Sequence, residues 1–173
     1  MSEDRPKTKK LPTEPYKGVR DFYPEDWSTQ QYIFDTWRGV AEKVGYVEYE
    51  ASILEPSDLY RAKGSDNEEM VSEQTYTFMD RGEREVTLRP EMTPTVARMV
   101  AGKRRELGFP LRYYSIPNCF RYERMQRGRL REFWQLNVDI FGSKSMAADA
   151  EILAVSYGFM KAFGGTETDI VFK

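Results

Sequence analysis

The stretch Phe120–Phe141, FRYERMQRGRLREFWQLNVDIF, decides the fold. Between Arg121 and Glu132 it holds five arginines and two glutamates, a concentration of positive charge in a chain whose formal net charge is -2. The arginines surround Gly128, with a strand-like run on either side, Phe120 to Arg124 and Phe133 to Phe141. This pattern predicts two strands joined by a glycine loop. A guanidinium is planar, binds phosphate oxygens in pairs and stays charged, so arginines gathered at such a loop predict a grip on a polyphosphate or an RNA backbone. A solvated charged turn is the bland alternative. Arg121 argues against it, because it lies inside the strand-like part, where an unpaired cation is costly. In the second run Gln135, Asn137 and Asp139 alternate onto one face, and a polar face deep in a sheet predicts a site.

Working outward, Leu111 to Ile116 reads as a strand. A helix is expected from Pro94, capped by Thr93, carrying Val96, Met99 and Val100 inward and ending at Gly102 and Lys103-Arg104-Arg105. Thr75 to Phe78 and Glu85 to Leu88 alternate around Asp80-Arg81-Gly82-Glu83, a hairpin pattern. Glu55 to Glu73 is polar, with room for two short helices, and Tyr46 to Leu54 reads as extended. Proline and two acidic residues open a helix at Pro24 whose apolar stripe is Ile33, Trp37, Val40, Ala41 and Val44, stopped by Gly45. Met1 to Lys17 has little to bury and reads as a flexible leader. Ala147 to Phe163 predicts a last helix, with Ile152, Val155, Phe159 and Phe163 on one side, and Thr168 to Phe172 the start of a further strand.

Composition narrows the function. With 173 residues, 40% of them hydrophobic and 31% charged, the chain can build one domain around one core. Its slightly acidic balance excludes a nucleic-acid coat protein and leaves any such contact to a local patch. One cysteine, Cys119, permits no internal disulfide, and the absence of histidine removes the commonest metal ligand and general base, so no metal site is predicted. Cys119 lies in an apolar run and is expected to be buried. No signal peptide or membrane-length apolar run is visible, so a cytoplasmic protein is expected.

The residues also resemble a known family. Phe120-Arg121-Tyr122-Glu123-Arg124, Gln126-Arg127-Gly128-Arg129 and Glu132-Phe133-Trp134-Gln135 together resemble motif 2 of histidyl-tRNA synthetases. Gly18-Val19-Arg20-Asp21-Phe22-Tyr23-Pro24 is similar to that family's N-terminal signature. Tyr76-Thr77-Phe78-Met79-Asp80 is similar to its hairpin, and Leu88-Arg89-Pro90-Glu91-Met92-Thr93 to its amino-acid-binding loop. The resemblance runs in order from about Lys17 to Lys173. It implies an α+β fold, the antiparallel sheet of class II aminoacyl-tRNA synthetases flanked by helices, and the activity of a histidine–tRNA ligase. ATP is a substrate and Mg²⁺ its usual companion. The implied partners are histidine and tRNA(His), with a homodimer in the full-length form and no role for membrane or DNA.

By that resemblance Arg121 contacts the ATP α-phosphate and acts catalytically through its charge, Glu123 reads the adenine amino group, Phe133 stacks on the adenine and Arg129 reaches the outer phosphates. Glu91, Thr93 and Gln135 hold the α-amino group of histidine, and Asp139 faces its imidazole. Arg124 and Gln126 meet the tRNA acceptor end. On the residues alone each has a second role open to it: Glu91 as a helix cap, Phe133 as core, Asp139 as partner to an arginine, Arg124 and Gln126 as free loop. The chemistry needs no protein nucleophile, so a chain without histidine is compatible with it.

Two positions depart from the family pattern. Ser52 stands where motif 1 ends its strand in proline, and Met125 where the motif 2 loop carries one, which weakens the inferences about the dimer and the tRNA end. Motif 3, the histidine-specific loop and the anticodon-binding domain are expected beyond Lys173. The domain, from residue 18 onward, is therefore expected to be incomplete at its C-terminus, with an open sheet edge. Alone, the chain is expected to aminoacylate weakly or not at all. The alternative function is a non-catalytic, histidine-binding regulatory paralogue of the ATP phosphoribosyltransferase regulatory-subunit type.

Overall fold

In the computed structural model, residues 11–61, 74–124 and 126–171 are described. The chain opens with α1 (Pro24–Lys43), which has Pro24 in its first turn, Glu25 and Asp26 beside its N-terminal dipole and Lys43 in its last turn. Gly45, at φ 86°, stops it. Most of the expected stripe faces inward, but the deepest residues are Phe34 and Ala41. Val44, expected inside, is exposed because the helix has already ended there.

Three small sheets follow. The first joins β1 (Val47–Glu48), β5 (Leu111–Ser115) and β8 (Asn137–Phe141), with β1 parallel and β8 antiparallel to β5. Its register pairs Tyr114 with Val138 and Arg112 with Ile140 on one face. Tyr114, Val138 and Ile140 pack with α1 and with α4 (Met146–Ala162) around Phe34, Ala41, Tyr46, Val155 and Phe159. Each large apolar side chain buried there contributes roughly 1.5–3 kcal/mol. Arg112 also clasps Glu151 of α4 through two bonds, of 2.5 and 2.7 Å.

The opposite face carries Leu111, Tyr113, Ser115, Asn137, Asp139 and Phe141. It packs against Val96 and Val100 of α3 (Thr93–Gly102), with Leu107 and Tyr49. Asn137 and Asp139 thus share a face as their alternation predicts, and that face looks toward α3. Gly142, at φ 79°, ends β8 where a Cβ would lie 2.5 Å from the Phe109 ring, so only glycine fits.

The second sheet orders β2 (Leu54–Pro56), β4 (Glu85–Leu88) and β3 (Tyr76–Met79), all antiparallel. The predicted hairpin is β3–β4, turned by Asp80, whose carboxylate accepts from the amides of Gly82 and Arg84 at 2.8 and 2.9 Å. Behind one face, Thr87 joins Ser57 and Thr77 in a hydroxyl chain, and Glu55, buried, takes Arg98 at 2.6 Å. The register aligns Leu54, Leu88 and Tyr76, then Pro56, Val86 and Phe78, on the other face. That apolar face is partly open, with Leu54 and Phe78 both exposed.

The third sheet is the short pair β6 (Asn118–Phe120) and β7 (Glu132–Trp134). Two predicted strands change here. The run from Phe120 to Arg124 leaves strand geometry after Phe120, and the run from Phe133 to Phe141 is broken at Gln135-Leu136, where the chain crosses from the third sheet to the first. α2 (Asp58–Arg61) is one of the two short helices expected in Glu55 to Glu73; residues 62–73 of that stretch lie outside the described residues. Thr168 to Val171 form a turn and coil instead of the expected strand, because Thr166 and Asp169 close a tight side-chain loop. Among the described residues no helix is long and apolar enough to cross a membrane.

Candidate active site

The arginine-rich segment is a hairpin whose arms are β6 and β7. Its ladder runs one step past β6, since the Arg121 amide donates to the Arg131 carbonyl at 2.9 Å. Beyond that the loop turns at Gln126–Arg129, with Gly128 in the left-handed region at φ 81°. Met125, one of the two departures, lies outside the described residues.

Four side chains converge on this hairpin. Arg121, Glu123, Arg129 and Phe133, with Gly128 and Leu130, line one open cleft of about 290 Å³. Arg121 is anchored twice: its Nε donates to the Pro90 carbonyl at 3.0 Å, and its guanidinium sits 5.2 Å from the centre of the Phe133 ring. Glu123 lies between the two cations, 3.1 Å from Arg129 and 3.8 Å from Arg121. Arg129 is 64% exposed against 29% for Arg121, so one guanidinium is held in place while the other can swing. Two cations and one anion around an aromatic ring form a site suited to a flat ring carrying several negative charges. Arg124 and Gln126 line an adjoining cleft with Gln74, Tyr122, Glu123 and Arg129.

The other predicted residues are distributed differently. Glu91 follows Pro90, whose carbonyl holds Arg121, so it stands beside the cleft. Thr93 does not cap α3: Met92 occupies the cap position, no side chain bonds there, and Thr93 is the first helical residue, exposed. Gln135 bridges β7 and β8, its amide bonded to the Pro117 carbonyl, while its side-chain oxygen is buried without a partner. Asp139 pairs in register with Tyr113 beneath α3. Among the described residues no arginine meets it, and burial holds its carboxyl above the ordinary range.

Three contributors escaped the sequence. Arg89 is 1% exposed, and its guanidinium donates to Glu50 at 2.6 Å, to the Ala51 carbonyl at 2.9 Å and to the Asn118 carbonyl and side chain at 2.8 and 3.1 Å. Its own carbonyl accepts the Phe120 amide, so one buried cation ties the residues before β2, the turn before α3 and the first arm of the hairpin together. Removing such a buried, paired charge costs about 3–5 kcal/mol. The other two are Tyr49 and Ser115, whose hydroxyls are buried close to one another on the Asp139 side of the first sheet. Burial pushes the Tyr49 phenol up to about 12. Cys119 is buried as expected, its thiol pushed up to about 11 by burial and so unsuited to be a nucleophile.

Comparison with known proteins identifies the family. A family model described as Histidyl-tRNA synthetase matches residues 18–172. The histidine–tRNA ligase of Leptospira biflexa is 55% identical over 158 residues, which are 91% of this chain and 36% of that protein. Among solved structures, apo histidyl-tRNA synthetase of S. aureus superposes with a TM-score of 0.71 at 29% identity, covering 90% of this chain and 35% of that one. An ATP phosphoribosyltransferase regulatory subunit/histidyl-tRNA synthetase of Bacillus halodurans superposes with a TM-score of 0.79 at 27% identity, covering 93% and 40%. The chain therefore spans little more than a third of the length of these relatives. With a matching family model over nearly all of its residues and the fold of these structures, the chain belongs to the histidyl-tRNA synthetase family of class II aminoacyl-tRNA synthetases.

Proposed function

We propose that this chain carries the nucleotide grip and part of the amino-acid pocket of a histidine–tRNA ligase, and that the complete protein activates histidine with ATP and charges tRNA(His). One observation carries the proposal: Arg121, Glu123, Arg129 and Phe133 line a single cleft. In the first step a carboxylate oxygen of histidine attacks the α-phosphorus of ATP, the bond to the bridging oxygen breaks and pyrophosphate leaves. Arg121, fixed by Pro90 and Phe133, meets the charge that builds on the α-phosphate. Phe133 offers its ring to the adenine, Glu123 accepts from the adenine amino group, and Arg129 swings to the outer phosphates. In the second step a ribose hydroxyl at the tRNA end attacks the acyl carbonyl and AMP departs, with Arg124 and Gln126 beside the incoming end.

The amino-acid side rests on polar groups whose chemistry matches the two ends of histidine. The Gln135 oxygen, buried without a donor, suits an ammonium, as do Glu91 and Thr93. The Asp139 carboxyl, unpaired under α3, suits a ring N–H of imidazole. Among the described residues no cluster of acidic or sulfur ligands could hold a metal ion. Mg²⁺, which neutralises phosphate charge when bound, would be held in part by the nucleotide's own oxygens.

The partly open apolar face of β2, β4 and β3 supports a homodimer of the full-length protein, and the free, buried Cys119 fits a reducing cytoplasm. Ser52, in place of proline, accepts the Leu54 amide at 3.2 Å, a side-chain turn that holds the start of β2 without a proline ring.

The likeness to the Bacillus halodurans protein supports a second proposal, a histidine-binding regulator. A regulator needs Glu91, Gln135 and Asp139 but has no use for the four residues of the cleft. Histidine-dependent exchange of labelled pyrophosphate into ATP by the complete protein tests the choice: exchange is expected, while histidine binding that ATP leaves unchanged, without exchange, would favour the regulator.

A further inference from the structure

The back of the nucleotide cleft is built from chain segments far apart in sequence. The Arg131 amide donates to the Gly18 carbonyl at 2.6 Å, and the Arg131 carbonyl accepts the Arg121 amide at 2.9 Å. On the other side the Tyr122 amide donates to the Gln74 carbonyl at 2.7 Å. The backbone at Arg121-Tyr122 is thus held between two layers, and the segment Tyr16–Gly18 lies outside Arg131 as a further one.

Side chains repeat the order. The Arg131 guanidinium lies 4.1 Å from the centre of the Tyr122 ring and 5.8 Å from that of Tyr16, and it donates to the Tyr16 hydroxyl at 3.2 Å and the Lys17 carbonyl at 3.3 Å. Tyr122 meets Tyr76 edge-on at 5.5 Å. Arg131 Nε and the Tyr76 hydroxyl are both buried, the hydroxyl beside Tyr16 and Arg131, so the inner side of this stack is closed to water. Arg121 and Tyr122 face different clefts, so what fixes Tyr122 also fixes the direction in which Arg121 leaves the backbone.

From this ladder we infer that Arg131 is a positioning residue for the nucleotide cleft, and that Tyr16–Gly18 is the strap it fastens across the back of the hairpin. Arg131 faces away from the cleft and acts through the backbone of Arg121 and the ring of Tyr122. A planar cation is required, because the same group must lie against the Tyr122 ring and donate sideways to the strap; a lysine keeps the charge but cannot do both. The inference rests on the ATP-binding role proposed above.

The test is calorimetric titration of ATP, and separately of histidine, into wild type and into Arg131→Ala, Arg131→Lys, Tyr16→Ala and Tyr16→Phe, with trypsin cleavage after Lys17 as a readout of the strap. Misplacing a positioned group by an ångström costs up to about a hundredfold, so Arg131→Ala and Arg131→Lys should each weaken ATP roughly tenfold or more. Histidine affinity should stay within about twofold, because the pocket at Asp139 lies on another sheet. Tyr16→Ala should weaken ATP by about threefold and hasten cleavage after Lys17, and Tyr16→Phe, which keeps the ring, should stay near wild type. Faster cleavage with unchanged ATP affinity in Tyr16→Ala and Arg131→Lys would overturn the inference and leave the strap a passive anchor. Equal losses for ATP and histidine would also overturn it, marking Arg131 as merely structural. A wild type that binds no ATP would instead overturn the ATP-binding role itself.

Discussion

The arginine hairpin and the polar face under α3 solve the problem of an empty site in opposite ways. In the hairpin the charged groups neutralise one another: Glu123 stands between Arg121 and Arg129 in an open cleft. Under α3, Asp139 has no counter-charge among the described residues, and at the entry to β8 the buried Gln135 oxygen has no donor. The first arrangement is cheap to leave empty, since water and Glu123 satisfy its cations. The second carries a desolvation cost that a ligand would relieve, the mark of a site whose specificity rests on unpaired buried groups. A ligand entering the hairpin must displace an internal partner, whereas one entering the polar face supplies a missing partner.

Four substitutions break or sharpen that contrast. The largest effect is expected from Arg121→Ala, which removes the fixed cation; pyrophosphate exchange by the complete protein should fall by about 10²–10³-fold, with histidine affinity nearly unchanged. Next, Asp139→Asn should weaken histidine by roughly thirtyfold, as loss of a charged hydrogen bond does, measured by calorimetry. The same change should raise Tm. The folded-state pKa of Asp139 is raised, so its contribution is present at acid pH, where the carboxyl is protonated, and is lost as pH rises through the folded value. Asp139→Asn should therefore gain stability over wild type at neutral pH and lose that advantage on acidification, as thermal melts across pH would record.

A smaller effect is expected from Gly142→Ala. It forces a Cβ against Phe109 at φ 79° and should cost about 1–3 kcal/mol in denaturant unfolding. Because Gly142 ends β8, histidine affinity should suffer more than ATP affinity. The smallest effect is assigned to Glu123→Gln. It loosens the internal pairing of Arg129 and should change ATP affinity by only about threefold, since lost adenine recognition and released arginines oppose each other. Discrimination of ATP from GTP should fall further than that, in a competition titration.

The hairpin was legible in the sequence because its signals are local. A glycine among arginines between two strand-like runs specifies a turn, and the four cleft residues lie within thirteen positions of one another. Helices α1 and α4 were legible for the same reason, their apolar periodicity. The break at Gln135-Leu136 was not, because alternation carries on unchanged when a chain passes from one sheet to the next. Arg89 looked like part of a loop motif, and its role depends on partners near residues 50 and 118 that only the folded chain brings together. Tyr49 and Ser115 sit in runs that read as ordinary strand, so nothing local marks their hydroxyls as buried together near Asp139. Thr93 has the residue type and spacing of a cap, yet the helix begins one residue earlier and leaves it in the first turn.

The most direct test of the central claim, that the hairpin is an ATP grip, is calorimetric titration of ATP into this chain and its Arg121→Ala variant. Binding at one site per chain, lost in the variant while histidine binding persists, is the predicted result. No ATP binding by the wild type, or binding that survives the loss of Arg121, would contradict it.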